Sequence, residues 1–170
     1  MNHVRPMRDD ERDDVRALLA DAYRPYEKVM TPAMYEHYMT AVLNLDDGGD
    51  VLVATAADKV VGTARLFPPG RTPVPLPPDW AWVRAVGVHP SARGTGAGHA
   101  LMTHCAAGVD ILSLHTMDFM PVAIRLYERL GYVRAPEWDI QVGVKAGFPP
   151  EEQFLALAYR LATSRGRRSP

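Results

Sequence analysis

Between residues 89 and 99 the chain reads His-Pro-Ser-Ala-Arg-Gly-Thr-Gly-Ala-Gly-His, with Arg93 followed by glycines at 94, 96 and 98. Glycine lets a backbone approach a ligand closely and adopt φ values that side chains disfavour. Where a helix starts on such a run, its first N–H groups lack acceptors and converge with the positive end of the dipole. The product is a concave anion site, and a pyrophosphate is its natural occupant. Arg93 adds a charge-assisted donor at the head of the loop. Alone, this is a weak signal. The spacing is not the dinucleotide pattern G-x-G-x-x-G, and no Gly-Lys-Ser/Thr marks a P-loop.

Other reactive residue types are scattered. His99 and His104 lie off the i, i+4 spacing of a two-histidine metal site, and no cysteines or carboxylates cluster near them, so no metal is expected. His89 follows a strand, as a loop histidine or a proton relay. His115 and Asp118 come at the end of a later strand, where ligands of open α/β sheets gather. Asp118 reads either as a cap for the next helix or as a substrate contact. Cys105, with Ala97 and Leu101, falls on the buried face of the helix after the glycines and reads as structural.

The elements that must position these residues follow from periodicity and punctuation. Val4-Arg5-Pro6 suits a first strand, and after Asp9-Asp10 a helix carries Val15, Leu18, Leu19 and Ala22 on one face. Thr31-Pro32 opens a second helix, with Met34, Tyr38 and Val42 along one side. Val51–Thr55 and Val60–Phe67 make a hairpin across a short turn. Residues 68–78 hold six of the fifteen prolines and read as a loop, with a proline-binding partner module as the alternative use. Trp80–Val88 is a strand in which Val83, Ala85 and Gly87 alternate against Arg84, Val86 and Val88. A helix to Ala107, a strand Ile111–Leu114, a helix to Leu130 and a strand Phe154–Leu161 complete the pattern; residues 138–153 match none. The order β-α-α-β-β-β-α-β-α-β predicts one α/β domain over residues 1–163, with a short basic tail, 164–170, carrying Arg165, Arg167 and Arg168 and expected to be disordered.

Bulk properties agree with such a domain. The chain has 170 residues, 47% hydrophobic and 23% charged, with a net charge of −1. That length buries a full core without staples, and the charge balance argues for neither nucleic acid nor a membrane. A lone cysteine excludes a disulfide framework and suits a reducing cytoplasm. No apolar run follows Met1 as in a signal peptide, and no segment approaches a membrane span.

What makes the glycine loop specific is its frame. Arg93, Gly96 and Gly98, after a strand ending in Val88-x-Pro90, resemble the acetyl-CoA signature of the GNAT acetyltransferases. Further on, Leu126-Tyr127-Glu128-Arg129-Leu130-Gly131-Tyr132, with Ala123 four residues before the tyrosine, is similar to the family's Leu-Tyr-Glu-Lys-Leu-Gly-Phe segment. The resemblance extends over nearly the whole chain and implies a mixed central sheet flanked by helices, with a splay between the fourth and fifth strands.

It also implies a site. Val86, Gly87 and Val88 would hold the pantetheine and thioester of acetyl-CoA on unpaired backbone groups, and the N–H groups of Arg93, Gly94, Thr95, Gly96, Ala97 and Gly98 would hold its pyrophosphate. Tyr127 takes the place of the residue that protonates the departing thiolate. Tyr23 and Tyr26 lie where the family's first helices line the acceptor pocket; Trp80 and Trp82 either pack or wall that site. Two positions depart from the pattern: Trp82, with Arg84 beside it, stands where close relatives often carry a glutamate base, and Met120 where many carry an asparagine. The resemblance thus implies an acetyl-CoA-dependent N-acetyltransferase acting on a small-molecule or peptide amine by direct transfer. A non-catalytic acyl-CoA-binding module and transfer of a longer acyl chain stay open, as does a homodimer.

Overall fold

A computed structural model describes residues 1–166, so the basic tail lies outside the described residues from Arg167 onward. Strand β1 (His3–Pro6) is followed by a short turn at Asp9–Glu11 and by helix α1 (Arg12–Tyr23). Helix α2 (Pro32–Leu43) begins as its sequence requires: Pro32 sits in the first turn, and the Thr31 hydroxyl accepts the Met34 N–H. Strands β2 (Asp50–Ala56) and β3 (Lys59–Phe67) form the hairpin, and Ala57 and Asp58 at its tip both have positive φ, as a tight two-residue turn demands. After the proline-rich loop come β4 (Ala81–Val88), α3 (Ala97–Ala106), β5 (Ile111–Met117) and α4 (Pro121–Arg129).

The predicted elements are all present, with two additions, one just before residues 138–153 and one within them. β6 (Val133–Arg134) and β7 (Ile140–Val142) are short pairings against the last strand, β8 (Phe154–Ala162). Trp80 precedes β4 in a turn, its N–H bonded to the Pro77 carbonyl. Eight strands thus form one mixed sheet in the order β1-β2-β3-β4-β5-β8-β6, with β7 also on β8. Only the β4–β5 pair is parallel; the others are antiparallel.

Both faces of the sheet are covered, which is why β2 reads as a continuous apolar run. Leu52 and Ala54 pack with Leu101, Met102 and Cys105 of α3, while Val53 between them packs with Val15 and Leu19 of α1 and Val42 of α2. Among the described residues no helix is long and apolar enough to cross a membrane.

The sheet has one break that matters for function. Thr63 faces Gly87 and Arg65 faces Arg84, so between those pairs β4 carries one residue more than β3. The extra residue forms a bulge, and Ala85 within it has φ of 48°. Parallel pairing between β4 and β5 then covers only Ala81–Val83 and Leu112–Leu114. The expected splay is present, and the bulge is its local cause.

An alanine at positive φ carries a penalty of about 1–2 kcal/mol that glycine avoids. Ala85→Gly is expected to match or exceed the parent's stability by up to about 1 kcal/mol, whereas the β-branched Ala85→Val is expected to lose at least about 2 kcal/mol. Urea denaturation of the two variants checks the bulge; equal effects would count against it.

Candidate active site

Past the fork, β4 and β5 diverge around a cleft of about 1020 Å³. Its floor is β4 itself, with Val86, Gly87 and Val88 on a strand edge that has no pairing from β5. The start of α3 closes one end with Arg93, Gly94, Gly96, Ala97 and Gly98; α4 supplies a wall with Leu126 and Tyr127. Tyr23, Tyr26, His37 and Tyr38 face it from the α1–α2 side, and Trp82, Arg84 and His115 sit at the fork.

At the glycine end the hydrogen bonds can be accounted for group by group. The Arg93 N–H reaches the Pro90 carbonyl at 3.4 Å, the Thr95 N–H reaches Ala92 at 3.3 Å, and the first bond of α3 runs from Ala100 to Gly96 at 2.9 Å. The N–H groups of Gly94, Gly96, Ala97, Gly98 and His99 have no acceptor among the described residues. Gly94 and Gly96 take φ values of 79° and 86°, which other residues reach only with strain. A Cβ on Gly98 would lie 3.2 Å from Leu126 and 3.6 Å from Val88, so this glycine lets α3 approach α4 and β4. Thr95 is set differently from its neighbours. It does not line the cleft; its hydroxyl and N–H bond Ala92, and its carbonyl accepts the Asn2 side chain. Thr95 and the Arg93 N–H therefore hold the loop's shape, while the remaining N–H groups have no partner among the described residues.

Tyr127 is 6% exposed, and its ring lies 5.8 Å from that of Tyr132. Its hydroxyl has no hydrogen-bond partner among the described residues, and burial, with Tyr23 and Tyr132 nearby, holds its pKa far above the usual phenol value. It is a protonated donor in the wall of the cleft. Gly131, with φ of 91°, ends α4, and the Tyr132 N–H closes back onto the Tyr127 carbonyl at 3.0 Å.

The weaker acceptor-site candidates separate. Tyr23 lines the cleft but is also committed to the scaffold: its hydroxyl donates to the Val86 carbonyl at 3.2 Å. Tyr26 packs edge-on to Tyr23 and beside Phe119. Trp80 turns away from the cleft onto Trp138, whereas Trp82 lines it. Asp118 is exposed, outside the cleft lining, and it does not cap α4, whose N-cap is Met120. The capping expectation for Asp118 fails because the chain makes one more turn before Pro121 starts the helix. Met120 itself is buried and lines the cleft. His99 and His104 remain unclustered: among the described residues no three His, Cys, Asp or Glu side chains gather in a metal-sized group.

His115 lies within β5 rather than after it, and its role was not visible from spacing. Trp82 Nε1 donates to His115 Nδ1 at 2.9 Å, so Nε2 carries the proton and donates to the Trp138 carbonyl at 2.8 Å. Burial lowers its pKa. With both nitrogens engaged, His115 is a neutral strut and not a free base. No Asp or Glu lines the cleft; the charged groups that do are Arg84, Arg93 and Arg129.

Residues 12–132 match the model of the acetyltransferase (GNAT) family. The chain belongs to the GNAT acetyltransferases. A mycothiol acetyltransferase from Thermobispora bispora is 40% identical over 65 residues, 35% of this chain and 21% of that protein, so the chain spans only about a fifth of that relative. Solved GNAT structures agree in fold over their full lengths. A histone acetyltransferase HPA2-related protein from Corynebacterium glutamicum has a TM-score of 0.67 at 21% identity, covering 96% of this chain and 97% of that one. The ribosomal-protein-S18-alanine N-acetyltransferase from Escherichia coli gives 0.64 at 19%, covering 100% and 99%. The apo form of YjaB from the same organism gives 0.70 at 14%, covering 96% and 99%. The expected GNAT architecture is therefore present, and acetyl-CoA is the family's co-substrate.

The His115 strut predicts a pH signature. In the unfolded chain a histidine takes up a proton near pH 6.5, but the folded state resists it to lower pH. Between those values the unfolded state binds more protons, so stability is full above about pH 6.5 and falls as pH drops below it. His115→Gln preserves one donor and one acceptor without titrating. Urea denaturation at pH 7, 6 and 5 should show a flatter profile for the variant; an equally steep fall would place the titration elsewhere.

Proposed function

We propose that this GNAT chain is an acetyl-CoA-dependent N-acetyltransferase that passes the acetyl group directly to a small-molecule or peptide amine. The observation that carries the reading is that Gly94, Gly96, Ala97, Gly98 and His99, whose N–H groups have no acceptor among the described residues, line the same cleft as the β4 edge that β5 leaves and Tyr127. The N–H groups suit a pyrophosphate at one end, and the edge at Val86–Val88 suits an extended pantetheine leading toward the fork. Attack of the amine nitrogen on the thioester carbon forms the new C–N bond and puts negative charge on oxygen. A backbone N–H of the β4 edge would stabilise that charge. Collapse breaks the C–S bond, and the ammonium proton leaves through water.

Cys105 takes no part. It is buried away from the cleft, and burial pushes its thiol pKa up to about 12, so no acetyl-cysteine intermediate is supported. Tyr127 keeps its proton at neutral pH, and its pKa lies well above that of a thiol near 8.5, so full proton transfer to sulfur is uphill. Its contribution is a hydrogen bond to the developing thiolate, at the low end of general acid effects. We assign the domain to residues 1–163 and the enzyme to the cytoplasm, where its unpaired cysteine stays reduced. The cleft's lack of a carboxylate base also fits a second reading, a module that holds acyl-CoA without turnover.

Acetyl-CoA at 100 times its Kd is expected to stabilise the protein by about 2.7 kcal/mol, read as a rise in Tm, and Gly96→Glu is expected to abolish the rise while remaining folded. CoA-thiol release across an amine panel separates enzyme from module. No Tm rise at millimolar acetyl-CoA refutes both readings.

Tyr127→Phe retains the ring and its packing against Tyr132, so stability should change by only about 1 kcal/mol. The hydrogen-bond role requires kcat to fall roughly 10- to 100-fold with KM for acetyl-CoA nearly unchanged. Wild-type turnover in the variant would make Tyr127 a core residue only.

A further inference from the structure

The fork end of the cleft holds a cation whose only carboxylate among the described residues is distant and shared. Arg84 follows immediately after the last β4–β5 pair and lines the cleft, with its side chain 24% exposed. Its guanidinium makes no hydrogen bond among the described residues. The nearest carboxylate oxygen, Asp47 Oδ2, is 3.8 Å away, and that oxygen already receives Arg65 Nη1 at 2.5 Å. Two guanidiniums therefore share one carboxylate, and one positive charge is left over. Arg84 is held from behind by Trp82, with Cζ 5.5 Å from the ring centroid. Tyr23 and Tyr38, buried phenols that retain their protons, are its other titratable neighbours. Shielding a cation from water without a partner is unfavourable, and a guanidinium offers a fork that matches a carboxylate bidentately.

Resting on the acetyl-transfer reading, we propose that Arg84 anchors a carboxylate of the acceptor, so that the substrate is an amino acid or short peptide and not a polyamine. Only Ala85, the bulge residue, lies between Arg84 and Val86, so an anchored carboxylate would neighbour the strand edge proposed to hold the thioester. A polycationic acceptor would meet Arg84 with no Asp or Glu in the cleft lining to receive it.

The test uses matched acceptors with acetyl-CoA: amino acids and dipeptides against their carboxamides, with spermidine as the polycation. Each carboxylate acceptor is expected to exceed its carboxamide about tenfold or more in kcat/KM, with spermidine lowest. Arg84→Gln should bring that ratio close to one, through KM for the carboxylate member, and Arg84→Lys should keep part of it. Both variants should retain the acetyl-CoA rise in Tm, which shows that the fold and cofactor site survive. Equal use of carboxylate and carboxamide by the wild type, a ratio unchanged in Arg84→Gln, or no turnover of any carboxylate acceptor by a protein that binds acetyl-CoA overturns the Arg84 assignment. A wild type without the Tm rise removes the transfer reading itself, and the assignment with it.

Discussion

A single extra residue in β4 determines most of what this molecule presents to a ligand. With Ala85 in a left-handed conformation, β4 keeps its register with β3 on both sides of the bulge but leaves β5 after Val83. In a regular sheet the backbone groups of Val86 to Val88 would be consumed by a ladder. Here the edge that β5 leaves borders a cleft: Gly87 and Val88 still pair with Thr63 and Gly62 of β3, and the Val86 carbonyl accepts the Tyr23 hydroxyl from α1. The conformational cost of a non-glycine residue at positive φ is small beside the packing that surrounds it: Val83 on one side is fully buried, and Gly87 on the other sits under Leu18, Leu19 and Ala22 of α1.

The second device that holds the cleft's shape is the buried Arg65. From β3 it donates to Asp47 and to the Val42 and Ala41 carbonyls in the last turn of α2, where unpaired carbonyls and the negative end of the dipole favour a cation. This clamp sets α2 against the sheet and with it the positions of His37 and Tyr38 in the cleft wall. A fully buried guanidinium is tolerated only when its donors are met. Nη1 and Nη2 are satisfied, and Nε alone has no partner. The clamp also occupies Asp47 Oδ2, which leaves Arg84 lining the cleft with only a 3.8 Å approach to that shared carboxylate.

Much of this could be read before the fold was known, and the parts that could not have physical reasons. Thr31-Pro32, the β2–β3 turn and the Gly131 cap are local signals, decided by one or two residues, and they appear where the sequence places them. The glycine loop was legible because its function needs backbone geometry that only certain residues allow. β6 and β7 were not legible. At two and three residues they are too short for alternation to register, and their pairing is decided by β8. Nor could spacing reveal the Trp82–His115–Trp138 chain, which links three segments far apart in sequence. Thr95 shows what a motif alone does not tell: within the loop its hydroxyl bonds the Ala92 carbonyl and its carbonyl accepts the Asn2 side chain.

The charge pattern of the cleft bears on how an amine would be deprotonated. Trp82 and His115 sit at the fork, His115 is locked neutral by two hydrogen bonds, and no Asp or Glu among the described residues lines the walls. A base is needed only if the amine arrives charged. Positive charge nearby disfavours an ammonium, and so does burial, so both push an amine's pKa down. Arg84 at the fork, Arg93 at the loop and the positive end of α3 all act in that direction on a group entering the cleft. The same field favours the oxyanion and the thiolate that transfer would generate, and on the proposed reading Tyr127, kept protonated by burial, would add a donor for the sulfur. On the acetyl-transfer reading, a cleft lined by cations and neutral donors selects the neutral amine from solution, and water then suffices to carry away the proton that attack releases.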